Sequence, residues 1–329
     1  MPAGRTSLPR IAVSVGDPTG IGPEIALRAA LDPQVNAVCQ LRLVGDRSVI
    51  DRTAATLGLE AGSLEIEDVG ALDRVPEPGQ IHPAAGAAAV AYAQAAIGLA
   101  QVEDVDAVVA GPHNETAIAQ AGITFDGYPG LLARTTGSDP DAVFLMLVSP
   151  THRIVHVTLH MALRSALEAL TTSRILAAAR AADRALRMIG IAKPRIAACG
   201  INPHAGEGGL FGSEDETIVK PAVAAACTEG LAVAGPFGAD LALAENAHDA
   251  YLAMYHDQGH IPIKLAGRGK SFGMSIGTDV LFSTVAHGSA HDIAGRGRAD
   301  PASLINTIVQ MARLLGPTAR AKSGSADSC

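Results

Sequence analysis

Tryptophan is absent from this chain, and only four tyrosines and six phenylalanines occur among its 329 residues. So few aromatic rings leave little to stack on bases, and a formal net charge of -8 offers no basic surface to phosphates. Both features point away from nucleic acid and toward small molecules. Cysteine is equally scarce. Cys39, Cys199, Cys227 and Cys329 show no CxxC spacing, and Cys199 and Cys227 lie in apolar stretches where a thiol acts as a small buried side chain. A reduced, cytoplasmic protein is the expectation. The opening MPAGRTSLPR lacks the apolar stretch of a secretory signal, so no export is expected. Residues 80–102 carry no Asp, Glu, Lys or Arg, but they are rich in Ala and Gly and include Gln80, Gln94 and Gln101. They lack the Leu and Ile density of a membrane span and are read as a buried helix.

What is present is ample apolar material, 48% of residues, enough for one large domain or two α/β lobes. The 35 glycines and 19 prolines are spread along the chain, as many tight strand-to-helix turns require. Short apolar runs at 11–15, 41–45, 105–110, 143–148, 154–159, 195–200 and 249–255 read as strands. Ala/Leu-rich segments at 22–31, 86–102, 161–189, 213–229 and 301–315 read as helices, the third broken near Thr171-Thr172-Ser173. That alternation predicts an α/β fold. The final AKSGSADSC is small and polar and is expected to fray.

Four segments carry chemistry. GDPTGIGPE (16–24) follows a strand and opens a helix, with Pro23 and Glu24 suited to the first helical turn; it serves either as a plain glycine turn or as a loop whose amides face a ligand. Along 154–159, strand alternation puts His156, Thr158 and His160 on one side, though either histidine taken alone is read first as a hydrogen-bonded structural imidazole. GINPHAGEGG (200–209) sets His204 in a glycine-rich loop just after a strand, where α/β sheets hold their ligands. MYHDQGH (254–260) repeats the pattern with His256, and Asp257 can orient that imidazole. These histidines are too far apart in sequence to form a local metal motif. HGSAHDIAGRGRADP (287–301) is a glycine-punctuated loop through which a flat polar ligand such as adenosine can approach the backbone.

Taken in order, GDPTGIGPE, GINPHAGEGG, AMYHDQG and HGSAHDIAGRGRAD closely resemble the 4-hydroxythreonine-4-phosphate dehydrogenase family of vitamin B6 biosynthesis, over about residues 11–312. The resemblance implies an isocitrate/isopropylmalate dehydrogenase-like α/β fold, two α/β/α lobes with a cleft between them. One lobe would combine 1–135 and 285–329 and carry the NAD loop. The other, 136–284, would carry the metal histidines and the dimer interface. It implies a homodimer with a shared active site and a divalent metal on His160, His204 and His256, with His256 serving the partner's site. Neutral imidazoles suit zinc, with cobalt, manganese, nickel or magnesium left open. It further implies that Lys264 and Asp240 are catalytic and that Tyr128, Arg164 and Lys264 meet substrate. NAD would lie on His287, Gly288, Ser289, Asp292, Ile293 and Gly295.

The sequence departs from the family at the substrate. Where the pyridoxine enzymes hold substrate with Gly-His-Thr-Glu, this chain has Gly127-Tyr128-Pro129-Gly130, and Phe282 or its neighbour replaces a substrate arginine. A phosphate wants arginine or several donors, so these changes point away from a phosphorylated substrate. With 111–133 and 143–160 they resemble the branch that includes terephthalate dihydrodiol dehydrogenase. The implied reaction is NAD-dependent oxidation of a cis-dihydrodiol carboxylate with loss of carbon dioxide, in aromatic catabolism. Tyr128 and Phe282 would then touch the faces of a carbocycle, and Arg153, Arg164 and Lys264 are the cations available for its carboxylate. The alternative is a phosphorylated hydroxy-acid dehydrogenase, either the pyridoxine enzyme or a phosphothreonate or phosphoerythronate relative. A silent paralogue acting as a ligand sensor is a third reading, disfavoured by the intact histidine set.

Overall fold

The computed structural model describes residues 8–267, 271–285 and 287–316. Cys329 and the AKSGSADSC tail lie outside the described residues. Among those described, the strands in chain order are β1 (Arg10–Ser14), β2 (Gln40–Gly45), β3 (Glu65–Asp68), β4 (Ala107–Ala110), β5 (Phe144–Val148), β6 (Arg153–His156), β7 (Arg195–Cys199), β8 (Ala232–Phe237), β9 (Ala250–Ala253), β10 (Phe272–Ile276) and β11 (Phe282–Thr284). The chain divides into two compact units. The described residues of the first fall within Met1–Gly137 and Val280–Thr318, and those of the second within Ser138–Asp279.

In the first unit the strands run β3-β2-β1-β4-β11, parallel throughout. Helices cover both faces of such a sheet, which is why its central strands are continuous apolar runs instead of alternating ones. Ile11, Ala12 and Val13 are all fully buried, and so are Ala107, Val108 and Val109. Helix Pro83–Gln101 is long and apolar enough to cross a membrane by length and composition. Its Ala85, Ala89, Tyr92, Ala93 and Ile97 are instead buried as it packs on β1, β2, β4 and helices Glu115–Gln120 and Gly127–Thr136.

In the second unit the order is β10-β5-β6-β9-β7-β8. β5 is antiparallel to both neighbours, while β6, β9, β7 and β8 are parallel. Leu147, Ile154, Ala197, Tyr251, Ala253 and Ile263 form one core cluster beneath them. The long Ala-rich segment is two helices, Leu163–Ala169 and Thr172–Met188, broken where Leu170 turns extended and the Thr171 side chain accepts from the Arg174 amide. That side chain satisfies one of the open amides at the new helix start.

Two expected strands are shorter than the sequence implied, and one expected helix is refined. The strand expected over 154–159 stops at His156, whose bridge to Ala253 is the last of its pairing with β9; beyond it the Thr158 hydroxyl donates to the Met254 carbonyl. The helix expected over 213–229 is present, but it opens with a π-helical stretch, Asp215–Val219, that continues directly into helix Lys220–Thr228. The strand expected over 249–255 is confined to Ala250–Ala253, since Met254 donates its amide to the Gln258 side chain as the next helix begins.

Candidate metal and cofactor sites

In the second unit, β6 ends on a buried His156 and the chain bends through 157–160 to an exposed His160. The bend, and not strand pleating, therefore sets where His160 points. β9 leads through Met254 and Tyr255 into helix His256–Gly267, whose first residue is His256. The two rings stand 5.6 Å apart, centre to centre. Metal–nitrogen bonds of about 2.0–2.1 Å in a tetrahedral site put two imidazole centres roughly 5 Å apart, so this pair suits one ion. His256 Nδ1 lies 2.7 Å from Asp257 Oδ1. A carboxylate only accepts, so this bond favours the tautomer with the proton on Nδ1 and the lone pair on Nε2.

His204 does not join them in one chain, so it is His204, and not His256 as the resemblance implied, that stands apart from the other two. It is 70% exposed, 3.3 Å from Glu207 Oε2 through Nδ1, with its ring edge toward Phe211 at 6.2 Å. Among the described residues no group of three or more His, Cys, Asp or Glu side chains is gathered for an ion. The backbone around His204 is unusual: φ is positive at His204 (54°), Ala205 (53°) and Glu207 (44°). Left-handed conformations cost non-glycine residues roughly 1–2 kcal/mol each, and such strain gathers at functional sites. Asp240, exposed in the first turn of helix Ala239–Glu245, lies beside the same loop, since both Asp240 Oδ1 and the His204 Cα border Gly238.

Lys264 is exposed on the His256 helix, and Arg164 is exposed in helix Leu163–Ala169. Arg153 is turned inward instead, donating to the Asp249 carbonyl at 3.2 Å, and burial lowers its pKa. That leaves it less accessible to a substrate carboxylate than the exposed Arg164 and Lys264. Sequence reasoning missed His260, which stacks on His256, and gave His156 no specific partner; the two are joined by a hydrogen bond. Their i,i+4 spacing places His256 and His260 on one helix face and was the available signal.

In the first unit the loops 16–22 and 287–297 are locked together. The Ile21 amide donates to the Ser289 carbonyl at 2.8 Å, and a Cβ on Gly20 would sit 2.6 Å from that oxygen. The buried Asp17 carboxylate accepts from the Thr19 amide and hydroxyl through Oδ1, and its Oδ2 stands 3.3 Å from His291 Nε2. His291 Nδ1 in turn meets Ser289 Oγ at 3.1 Å. His287 is half-buried, and its Nε2 has no hydrogen-bond partner. Gly288 is open, with nothing within 4 Å of a built Cβ. Asp292 is exposed, Ile293 is half-buried, and Gly295 (φ 71°) packs on Pro78. Gly295 and Ala294 help wall a cavity of about 360 Å³ with Gly20, Glu24, Leu57 and Pro78.

Tyr128 and Phe282 do not present ring faces to a ligand. Tyr128 is 4% exposed and Phe282 fully buried. Their ring centres are 5.3 Å apart, and the Tyr128 hydroxyl donates to the Gly111 carbonyl at 2.8 Å. Beside them, just past β4, stands the half-buried His113, whose Nε2 is 4.0 Å from Glu115 Oε1. It meets Phe125 and Tyr128 edge-on at 4.8 and 4.7 Å, and burial lowers its pKa. Tyr128→Phe leaves the Gly111 carbonyl without its donor, at a cost of about 1–2 kcal/mol. The urea midpoint is expected to fall with an unchanged slope; an unaltered midpoint would mean the bond contributes nothing.

A two-unit α/β chain with an imidazole pair at the ends of two strands and a glycine-rich loop pair elsewhere has the parts of a small-molecule enzyme. The model of the family described as pyridoxal phosphate biosynthetic protein PdxA matches residues 27–312, and the chain belongs to that family. Relatives across nearly its full length are named as dehydrogenases, and the protein is an oxidoreductase of that type. It is 48% identical to the 1,2-dihydroxy-3,5-cyclohexadiene-1,4-dicarboxylate dehydrogenase of Comamonas sp over 91% of this chain and 96% of that protein. The crystal structure of a terephthalate 1,2-cis-dihydrodiol dehydrogenase from Burkholderia xenovorans LB400 is similar at 45% identity, covering 92% and 97% of the two chains, TM-score 0.75. That of a 4-hydroxythreonine-4-phosphate dehydrogenase from Burkholderia phymatum matches at 34% identity over 94% and 99%, TM-score 0.89.

Proposed function

We propose that the protein is an NAD- and divalent-metal-dependent dehydrogenase that oxidises a cis-dihydrodiol carboxylate of the terephthalate type and releases carbon dioxide. The observation that carries this reading is the state of Gly127-Tyr128-Pro129-Gly130, where the pyridoxine enzymes have Gly-His-Thr-Glu. Proline has no amide hydrogen, and the Tyr128 hydroxyl is spent on the Gly111 carbonyl. This stretch therefore has no free side-chain donor for a phosphate. The 48% identity to the Comamonas dicarboxylate dehydrogenase supports the same choice.

In this reading His160, His204 and His256 hold the ion, zinc being the metal best matched to neutral imidazoles. Its chemistry there is Lewis-acid polarisation of the substrate hydroxyl and of the carbonyl formed from it. Asp257, bonded to Nδ1, would leave the His256 Nε2 lone pair for the ion. Arg164 and Lys264, both exposed, bind the carboxylates. Lys264 is two turns beyond His256, about 12 Å along the helix, room enough for a six-membered ring with its substituents. Asp240, beside the His204 loop, accepts the hydroxyl proton as the hydride leaves for NAD. The product carries a carbonyl β to a carboxylate. Loss of carbon dioxide leaves an enol that becomes the second hydroxyl of a catechol, so aromatisation drives the step.

NAD is assigned to the 287–295 loop, with the adenosine end over Gly288, Ser289, Asp292 and Ile293. The unpartnered, buried Nε2 of His287 fits a polar ligand there. The two units would be the lobes of an isocitrate/isopropylmalate dehydrogenase-like fold. A homodimer is the proposed assembly: Met161, Leu163, Leu167, Leu210, Phe211, Leu241, Ile261 and Leu265 are exposed, and all belong to the unit that carries the histidines. Most of the exposed large apolar side chains among the described residues thus lie in this unit, which supports a protein contact there, and a second copy would complete the ligand set that one chain leaves open.

The test offers purified protein NAD with each substrate in turn. Expected are reduction of NAD with 1,2-dihydroxy-3,5-cyclohexadiene-1,4-dicarboxylate and stoichiometric carbon dioxide. Turnover of 4-phosphohydroxythreonine with none of the dihydrodiol overturns the assignment.

A further inference from the structure

We propose that His260 is a positioning residue for His256, stacking on its imidazole to fix the direction of Nε2, and that His156 anchors His260 in turn. The inference rests on His256 being a metal ligand. The rings of His256 and His260 are stacked, with centres 3.7 Å apart and planes inclined by 11°. His260 Nδ1 lies 2.9 Å from His156 Nε2. His156 is 2% exposed, on the strand β6 that pairs with both β5 and β9, so the anchor sits on the rigid part of the unit. Gly259 is what allows the approach, since a Cβ there would fall 2.4 Å from His156 Nε2.

A line of contacts therefore runs from a buried strand to a half-buried imidazole. Asp257 holds only one edge of the His256 ring, and its own side chain is 70% exposed. A hydrogen bond at Nδ1 leaves the ring able to tilt about that bond. The flat face of His260 blocks the tilt on one side. A ligand whose orientation is fixed beforehand loses less freedom when an ion binds, and groups that orient metal ligands in this way typically change affinity 10–100-fold.

Full-length protein, stripped of metal and titrated with cobalt(II), tests this through the visible absorption of the bound ion, without recourse to activity. His256→Ala is expected to lose the tight site. His260→Ala and His260→Gln are expected to bind at least about 10-fold more weakly; the glutamine keeps a partner for His156 but has no ring. His260→Phe, which restores a flat ring without nitrogens, is expected to stay within about 3-fold of wild type, a rescue that a purely structural role for the hydrogen bond would not give. If His260→Ala and His260→Gln bind like wild type while His256→Ala does not, the positioning role is overturned and the ligand assignment stands. If His260→Phe is as weak as the alanine variant, stacking is not the cause and the proposal falls. If His256→Ala binds like wild type, or wild type takes up no cobalt, the ligand assignment fails and this inference fails with it.

Discussion

His204→Ala is expected to lower turnover at least about 1,000-fold and to leave the protein folded. The first half follows from the proposed role: a Lewis acid contributes several kcal/mol to a developing negative oxygen, and each 1.36 kcal/mol is tenfold in rate. The second half follows from geometry. The side chain is 70% exposed, its polar neighbour is Glu207, and its ring meets Phe211 only at 6.2 Å. Truncating it opens no cavity, and exposed substitutions of this kind typically stay within about 0.5 kcal/mol. NAD reduction and thermal unfolding, measured on the same preparation, separate the two effects. Chelation should imitate the variant in the wild type and added zinc should reverse it. Activity within tenfold of wild type in a well-folded His204→Ala would remove this histidine from the ligand set.

How much of this was legible in the sequence depended on whether the physics was local. Buried parallel strands are long apolar runs, so β1, β4 and β7 could be read directly from 11–15, 105–110 and 195–200. The break before Thr172 announced itself through residues that cap helices. β8 and β10 carry glycine inside the strand, and β11 is three residues long, so none offered a run to read. His256 with its neighbour Asp257 was visible because the pair is adjacent in sequence. The His156–His260 bond was not, since nothing local links a strand residue to a helix residue a hundred positions on. The contact of Asp17 with His291 escaped for the same reason. Tyr128 and Phe282 were expected against a ligand, and Arg153 was a candidate for its carboxylate. Whether such side chains face solvent or the core is decided by their neighbours: Tyr128 and Phe282 face each other, and Arg153 reaches the Asp249 carbonyl.

A large effect on stability is expected at Gly86, and its sign opposes the helix propensity of the substitution. In an ordinary helix interior, Gly→Ala gains about 1 kcal/mol. Helix Pro83–Gln101 contains two glycines that differ only in what they face. A Cβ built on Gly98 meets nothing within 4 Å, whereas one on Gly86 falls 2.2 Å from the Ala117 carbonyl carbon and 2.4 Å from Ala117 O and Ile118 N. Those are backbone atoms of helix Glu115–Gln120, whose start is held by the Asn114 side chain accepting from the Ala117 amide. No rotamer change relieves the clash, so the two helices must part. Overpacking of this kind costs about 1–3 kcal/mol, and the branched side chain of valine should take Gly86→Val to the top of that range or past it. Gly98→Ala should raise the thermal midpoint, Gly86→Ala lower it and Gly86→Val lower it further. The cost would reach the candidate sites as well, because this helix packs on β1 and β4. Those strands lead into the loops where the Asp17 amide meets the Pro112 carbonyl. A Gly86→Ala protein melting at or above wild type would mean that the helices yield, and that propensity outweighs contact at this position.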